Sequence, residues 1–220
     1  MGRVFALRNV RVFYKKLGRM KFVSHLDMNR FMARLISKSK IPIWYTEGFN
    51  QHIYMNFAIP LSLGFEGLYE IMDIRLIDEN YSLEDCLADL KKVCPDDIEI
   101  FEVSEPLLNM KEITFAEHKI SLAEFSEEQK LKLCEFLNRD SVICQKVGKK
   151  GRVKEIDIIP KIASFSLQGN VLDICLNAGC EDTLNPALVL STFFEQCGIE
   201  PVFYTVTRTA ILDREKRLFK

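Results

Sequence analysis

The order in which strand-like and helix-like stretches follow one another is the feature that most constrains the fold. Apolar residues alternate along residues 11–17 with the period of a strand and recur along 24–39 with the period of a helix. Two strand-like stretches, a second helix and a closing strand then complete the order β-α-β-β-α-β by residue 103. The same order follows between residues 113 and 210, with one additional extended stretch at 154–159.

This repeated order predicts an α+β protein built from two ferredoxin-like (βαββαβ) units side by side, as a pseudo-duplication. We expect a first domain at 1–108, which carries a basic face, and a second domain at 109–220. Capping-box spacings at Ser82 and Ser126 mark two of the predicted helix starts. Sequence identity between the halves is negligible, so the prediction rests on pattern, and a single larger α+β sheet is the alternative.

Charge is distributed unevenly along the chain, although the formal net charge is only −1. Residues 1–57 carry a net charge of +9, whereas residues 65–140 carry −12. Such segregation suggests a cationic face for a polyanion and an acidic face that stays solvated or meets a basic partner. Ordinary surface charge, spread unevenly along the chain, is the alternative interpretation.

Composition argues against several classes of protein. Arg3, Arg8 and Arg11 interrupt the first apolar residues, so the start does not resemble a signal peptide, and no stretch has the roughly 18 apolar residues of a membrane span. We therefore expect a cytoplasmic protein without membrane contact. The seven cysteines show no C-x-x-C pair and are expected to be reduced thiols. None of the three histidines has the spacing of a metal ligand, so no metal and no cofactor is expected.

Residues 24–27, Ser-His-Leu-Asp, look at first like a catalytic set, but their place before a helical stretch explains most of them. The Ser24 hydroxyl can accept from the backbone N–H of Asp27 while Asp27 reaches back to the N–H of Ser24, which is a capping box. Three residues within four cannot form an in-line Ser-His-Asp triad. His25 is not needed by the cap, so it is an exposed residue, a packed one, or a functional base or ligand contact.

A basic stripe follows on the same predicted helix. Arg30, Arg34 and Lys38 are spaced four residues apart and therefore share one face, and no acidic residue interrupts the stripe. Arg19 and Lys21 lie just before the helix. Basic side chains without local counter-charges are suited to phosphate contacts, so the stripe predicts binding of phosphate or nucleic acid, with a merely solvated helix face as the alternative.

The segment 41–64 combines aromatic and polar residues. Aromatic side chains beside basic ones can stack on the bases of single-stranded RNA, although alternating aromatics in a strand more often belong to the core. Asn50 and His52, which follow a predicted turn at Gly48, are the better site candidates. The aromatic residues of the segment are Trp44, Tyr45, Phe49, Tyr54 and Phe57.

A second basic cluster occupies residues 148–152, Gly-Lys-Lys-Gly-Arg. It lacks the spacing of a P-loop. Lys149, Lys150 and Arg152 are therefore predicted either to contact phosphate from a flexible loop or to form a plain hairpin tip.

Several motifs together resemble a bacterial family. They are S-H-L-D at 24–27, G-F-N-x-H at 48–52, F-A-x-P-L-x-L-G at 57–64, K-E-I-D-I-x-P at 154–160 and R-T-A at 208–210. In this combination, which spans most of the chain, the sequence resembles the radical-SAM-associated (radical SAM-linked) protein family, a domain of unknown function. Gln51 and Ile53 stand where that family usually has prolines, which implies a less rigid turn around His52.

The resemblance implies partners but no established activity. The family's domain occurs alone or joined to a cobalamin-binding radical SAM protein, and its genes often neighbour those of a ribonuclease G-type endoribonuclease and of ribosomal proteins. The resemblance therefore implies that this chain is a partner of a radical SAM protein and that the two work on RNA.

These observations lead first to the hypothesis of a non-catalytic accessory protein that binds RNA or presents a substrate to a radical SAM enzyme, in RNA or ribosome-related metabolism. In this hypothesis Asn50 and His52 lie near the bound group. Phosphate is held by Arg19, Lys21, Arg30, Arg34 and Lys38.

Two other hypotheses remain open. Paired ferredoxin-like domains also serve CRISPR RNA-processing nucleases, so the chain could be a metal-independent endoribonuclease. His25 or His52 would then be the general base, and a lysine such as Lys21 would stabilise the developing charge. The third hypothesis is a purely protein-binding scaffold that uses the acidic segment.

Overall fold

The computed structural model describes residues 7–147, 153–179 and 182–220, and the chain divides into two compact units. Unit 1 comprises the chain up to Ile113 together with Leu218–Lys220, and unit 2 comprises Thr114–Arg217. Both units mix helices with antiparallel strands, so the molecule is an α+β protein.

Unit 1 contains four strands and two α-helices among its described residues. The strand order, given by hydrogen bonding, is β4-β1-β3-β2, because β1 pairs with β3 and β4, and β2 pairs with β3. In chain order the elements are β1 (Arg8–Lys16), α1 (His25–Ser39), β2 (Met55–Phe57), β3 (Glu66–Leu76), α2 (Leu83–Lys91) and β4 (Ile98–Ser104).

Unit 2 contains six strands and two α-helices among its described residues. Four of the strands are ordered β10-β5-β9-β8, and β6 and β7 pair only with each other. In chain order the elements are β5 (Phe115–Leu122), α3 (Glu127–Leu137), β6 (Ile143–Val147), β7 (Val153–Asp157), β8 (Ile162–Gln168), β9 (Val171–Asn177), α4 (Pro186–Cys197) and β10 (Tyr204–Leu212).

Local sequence signals account for the helix ends. Ser126 and Gln129 exchange both bonds of a capping box at the start of α3, and the Ser82 hydroxyl accepts from the N–H of Asp85 at the start of α2. Gly198 ends α4 with a φ of 61°, which a residue without Cβ adopts at little cost. Within the described ranges, no helix is both long and apolar enough to cross a bilayer.

The core of unit 1 fixes the orientation of α1. One face of this helix is buried in a single apolar cluster with residues of the sheet and of α2. Burying a side chain of this kind contributes about 1.5–3 kcal/mol, so rotation of the helix about its axis would be costly. The buried side chains of α1 in this cluster are Met28, Met32, Leu35 and Ile36.

A second part of the unit 1 core is organised around a buried arginine that the sequence pattern did not identify. Arg11 is 1% exposed, and its Nε and Nη2 donate to the two carboxylate oxygens of Asp73 over 2.7 and 2.9 Å. The Arg11 guanidinium also lies 4.8 Å from the ring centroid of Phe219, a residue with no exposed surface. The Tyr69 hydroxyl donates to the Phe219 carbonyl over 3.0 Å. Phe219 therefore closes the core over the ion pair.

The cysteines of the described residues are free thiols. Burial raises the pKa of Cys86 to about 11, so this side chain stays protonated as a small apolar group. The described thiols are Cys86, Cys94, Cys134, Cys144, Cys175 and Cys197.

One histidine of unit 2 is enclosed by the fold. His118 is 6% exposed on β5, and burial, followed by the nearby charge of Arg208, lowers the pKa of its imidazole to about 3. The unfolded chain, with a histidine pKa near about 6.5, therefore binds a proton that the folded chain does not bind. Stability should fall as the pH falls from about 6.5 towards 3.

We predict that Phe219→Ala lowers the free energy of unfolding by about 3–5 kcal/mol, because it removes a fully buried ring and uncovers a buried ion pair. The measurement is urea unfolding followed by circular dichroism. Leu218→Ala is the matched control, since Leu218 is 52% exposed, and it should change stability by less than about 0.5 kcal/mol. Equal effects of the two substitutions would contradict the role of Phe219.

We also predict that shifting the pH from 7 to 5 costs the wild-type protein about 2 kcal/mol more stability than it costs His118→Gln. Glutamine cannot take up the proton that the unfolded histidine binds, whereas the other titrating groups are common to both proteins. Urea unfolding of both proteins at both pH values measures the difference. Equal losses in the two proteins would show that His118 does not cause the pH dependence.

Candidate functional site

The start of α1 is a helix cap, with one difference from the expected bonds. The Ser24 hydroxyl accepts from the Asp27 N–H over 3.2 Å, as predicted. Asp27 does not reach back to the Ser24 N–H as expected; its Oδ2 instead accepts from the Ser24 hydroxyl over 2.8 Å. Both side chains are therefore occupied at the helix terminus, where they stabilise the first turn.

His25 is exposed and engaged locally. Its Nε2 lies 3.2 Å from Nδ2 of Asn29, and because that amide nitrogen can only donate, Nε2 is the acceptor. The ring also packs edge-on against Phe57, with centroids 5.4 Å apart. His25 therefore belongs to the packing at the beginning of α1.

The basic residues predicted to hold phosphate differ in whether they have acidic partners. Three of them form ion pairs: Arg19 with Asp97 over 3.1 Å, Lys21 with Glu66 over 3.3 Å and Arg30 with Asp27 over 3.2 Å. The expectation that the stripe lacks acidic partners is thus wrong for Arg30, because it pairs with Asp27 one turn earlier. The same carboxylate also accepts the bond from the Ser24 hydroxyl at the helix cap. The Lys21 ammonium, which the nuclease hypothesis names as an example of a charge-stabilising group, is likewise paired.

Arg34 and Lys38 are different. Both side chains are exposed on α1, and neither makes a hydrogen bond or ion pair with another residue in the part of the chain that the structure describes. They lie one helical turn apart, on one face. Two neighbouring positive charges thus remain without a carboxylate partner.

A cavity of about 650 Å³ opens beside these two residues, within unit 1. This volume is in the range of small-molecule sites. Apolar side chains from α1, from the 45–53 loop and from the end of α2 form much of its surface, so the positive charges adjoin an apolar interior. Its main lining residues are Phe31, Arg34, Leu35, Lys38, Tyr45, His52, Ile53 and Val93.

The wall that carries Tyr45 and His52 is a narrow loop closed by hydrogen bonds. Tyr45 and Ile53 form an antiparallel bridge, and the Thr46 N–H donates to the His52 carbonyl over 2.8 Å. The His52 N–H donates in turn to the Thr46 hydroxyl over 3.2 Å. Gly48 allows the reversal with a φ of 120°, which side chains rarely permit. The loop therefore holds His52 in place through its own backbone.

The ring of His52 is oriented by its neighbours. Its Nδ1 lies 3.1 Å from the Asn50 carbonyl oxygen and 3.1 Å from the Thr46 hydroxyl. A carbonyl can only accept, so in the neutral ring that bonds to it Nδ1 carries the hydrogen and Nε2 is left as an acceptor. Asn50 thus contributes to the site through its backbone oxygen, which orients His52.

Besides Phe57, which packs against His25, the aromatic residues of 41–64 fall into two groups. The rings of Trp44 and Tyr54 lie 5.0 and 4.4 Å from the Arg75 guanidinium, so their faces are used within unit 1. Tyr45 is 45% exposed at the cavity, and the side chain of Phe49, at the tip of the same loop, is completely exposed. These two rings are therefore available to a ligand.

The cavity unites only part of the residue set predicted from sequence. Arg34, Lys38 and His52 line it, and the Asn50 carbonyl oxygen contacts the ring of His52. The predicted basic loop of Lys149, Lys150 and Arg152 lies outside the described residues. The remaining predicted residues, which do not line the cavity, are Arg19, Lys21, His25 and Arg30.

Sequence reasoning missed much of the apolar lining. Phe31 and Leu35 could have been found from the α1 period, since they flank Arg34 and Lys38 on the helix. Val93 gave no local signal, because it is brought to the cavity by the packing of α2 in unit 1. The described residues contain no group of three or more side chains suited to hold a metal ion.

Comparison with solved structures gives weak similarities. A chain in a crystal structure of a Cbf5-Nop10-Gar1 complex matches with 10% identity and a TM-score of 0.46, covering 92% of this chain and 48% of that one. The present chain thus spans about half the length of that match. A putative glycine cleavage system transcriptional repressor matches with 12% identity and a TM-score of 0.25, covering 91% of this chain and 96% of that one. Both similarities are too low to support an argument about function.

Comparison with curated proteins gives no significant match. The family profile described as "uncharacterized protein conserved in bacteria" (DUF2344) matches residues 9–186. This range includes all of the cavity-lining residues and most of both units. The chain therefore belongs to this uncharacterised, conserved bacterial family (DUF2344).

Proposed function

We propose that this protein binds RNA through the cavity of unit 1 and acts as an accessory that presents RNA or a substrate to an enzyme. The observation that carries the proposal is the convergence of Arg34 and Lys38, which have no carboxylate partner among the described residues, on a cavity that Tyr45 and His52 also line. Unpaired cations beside aromatic surface are the combination that single-stranded nucleic acid requires.

The ion pairs of the other predicted basic residues identify Arg34 and Lys38 as the main phosphate contacts in this proposal. A lysine or arginine already bonded to a carboxylate would have to give up that bond, or share it, before it could hold a phosphate. Arg34 and Lys38 bear no such cost and can exchange solvent counterions for phosphate directly. They are therefore the predicted centre of the interface, whereas Arg19, Lys21 and Arg30 are secondary.

A binding role is favoured over catalysis by the arrangement of the candidate catalytic groups. A metal-independent nuclease would need a general base and a charge-stabilising group at one site. His52 lines the cavity, but His25 packs elsewhere against Phe57, and Lys21 is bonded to Glu66. Of the residues named for the nuclease hypothesis, His52 thus lines the cavity, whereas the alternative base His25 and the lysine Lys21 do not.

We further propose that both units are ferredoxin-like, as a pseudo-duplication. In unit 1 the strand order is β4-β1-β3-β2, and the helices α1 and α2 follow β1 and β3 in the chain. In unit 2 the strands β10-β5-β9-β8 occupy the equivalent places, once the β6–β7 hairpin is set aside as an insertion. The same connection plan in both units supports this assignment.

The proposed partner is a radical SAM protein, in keeping with the resemblance described above. The acidic segment 65–140 offers a surface for a basic region of that partner. Two carboxylates of this segment are exposed and do not line the cavity: those of Glu79 and Glu84.

We predict that Arg34→Ala/Lys38→Ala weakens binding of single-stranded RNA about 10- to 100-fold, since two charge-assisted contacts are lost. The slope of log affinity against log salt should shrink by about 1.4, which corresponds to two phosphates. Fluorescence anisotropy with a labelled RNA at several salt concentrations measures both quantities.

The matched control for this prediction is Arg19→Ala/Arg30→Ala, which removes the same amount of charge from residues that are paired with Asp97 and Asp27. It should reduce affinity less than the Arg34/Lys38 double variant does. Equal losses would indicate a diffuse electrostatic surface, and unchanged binding in both variants would refute the proposed interface.

We predict that a radical SAM protein co-purifies with the tagged chain from its native cells and that Glu79→Lys/Glu84→Lys reduces its recovery, because the acidic segment loses its attraction. Quantitative proteomics of the pull-down measures recovery. The control Glu195→Lys/Glu200→Lys alters exposed carboxylates of unit 2 by the same charge and should leave recovery unchanged. Absence of any radical SAM protein from the wild-type pull-down would contradict the partnership.

A further inference from the structure

We propose that the cavity of unit 1 captures one unpaired nucleobase, with Arg34 and Lys38 on its flanking phosphates and Phe49 stacked on a neighbouring base. This inference rests on the proposed RNA-binding function and specifies its ligand class as an unpaired ribonucleotide within a strand. It predicts that the protein distinguishes single-stranded from paired RNA without selecting a sequence.

The apolar interior is the first argument for a base. Phosphate alone would be served by the two exposed cations and would gain nothing from a concave surface made by Phe31, Leu35 and Ile53. A ligand that carries a flat apolar part next to an anionic part satisfies both features. An unpaired nucleotide has this character, whereas a base inside a duplex is stacked on both sides and cannot enter a cavity.

The spacing of the cations is the second argument. Side chains four residues apart on a helix have Cβ atoms roughly 5–6 Å apart, which is on the order of one nucleotide step along an extended strand. Arg34 and Lys38 can therefore contact the phosphates on either side of a single base. The pair thus favours a footprint of one inserted nucleotide.

The orientation of His52 explains why the protein would recognise whether a base is paired and not which base it is. The Asn50 carbonyl directs the hydrogen of the neutral ring to Nδ1 and leaves Nε2 as an acceptor at a cavity-lining side chain. Adenine, guanine, cytosine and uracil each carry an N–H donor on the Watson–Crick edge. An unpaired base of any kind can therefore donate to His52, and a paired base has already used that donor.

Phe49 supplies a surface for the next base. Its side chain is completely exposed at the tip of the loop that also carries Tyr45 and His52. A fully exposed aromatic ring gains from any partner that covers it, and base stacking on such rings is tolerant of sequence. A base adjacent to the inserted nucleotide is the covering partner that the strand itself provides.

The test compares labelled RNA of roughly ten nucleotides with the same RNA annealed to its complement, by fluorescence anisotropy. The single strand should bind at least about tenfold more tightly than the duplex. Tyr45→Ala and Phe49→Ala should each weaken single-strand binding about 5- to 100-fold and leave duplex binding unchanged. Phe203→Ala is the matched control, because Phe203 is 75% exposed in unit 2, and it should leave both affinities unchanged.

The outcomes separate this inference from the proposed function. Equal binding of the two RNAs, abolished by Arg34→Ala/Lys38→Ala, would leave RNA binding intact and overturn base capture. Absence of binding to either RNA would overturn the proposed function itself. Displacement of the labelled strand by equimolar AMP or UMP would assign the cavity to free nucleotides and overturn the inference of a strand as ligand.

Discussion

The burial of one face of α1 is the constraint on which the candidate site depends. Met32 and Ile36 are fully buried in the apolar cluster of unit 1, which fixes the rotation of the helix. Because these residues must face the core, Arg34 and Lys38 are held on exposed surface one turn apart. The chain that leaves α1 is also anchored, since Ile43 is buried and the Trp44 N–H donates to the Arg75 carbonyl over 2.7 Å. The core contacts of α1 and the anchoring of the chain after it thus fix where α1 and the 45–53 loop form the walls of the cavity.

Ion pairing then decides which of the basic residues are free to act. An exposed pair such as Arg30–Asp27 adds only about 0–1 kcal/mol to stability, so its main consequence here is not the stability of the fold. Its consequence is that a carboxylate lies beside the cation and opposes the approach of an anion. The absence of such a carboxylate at Arg34 and Lys38, among the described residues, leaves a local excess of positive charge, although basic and acidic residues are nearly equal in number over the whole sequence.

Features that depend on residues close together in the sequence could be predicted, whereas contacts between residues far apart in the sequence could not. Helix caps at Ser82 and Ser126 and the turn at Gly48 depend on residues a few positions apart, and the sequence predicted them. The pairing of Arg19 with Asp97 joins residues 78 positions apart and could not be inferred from local pattern. The burial of Arg11 could not be inferred either, because its partner Asp73 becomes its direct neighbour only in the β1–β3 register. The Arg30–Asp27 pair, three residues apart, could have been foreseen.

The turn around His52 is closed by hydrogen bonds in a chain that lacks prolines at the two flanking positions. Where the resembling family usually has prolines, this chain has Gln51 and Ile53. Proline would restrict the loop through its ring, whereas here Thr46 closes the loop with two hydrogen bonds to the His52 backbone. Ile53 is 5% exposed and adds an apolar side chain to the cavity, which proline would provide less fully. The hydrogen bonds of Thr46 and the burial of Ile53 therefore hold His52 at the wall of the cavity.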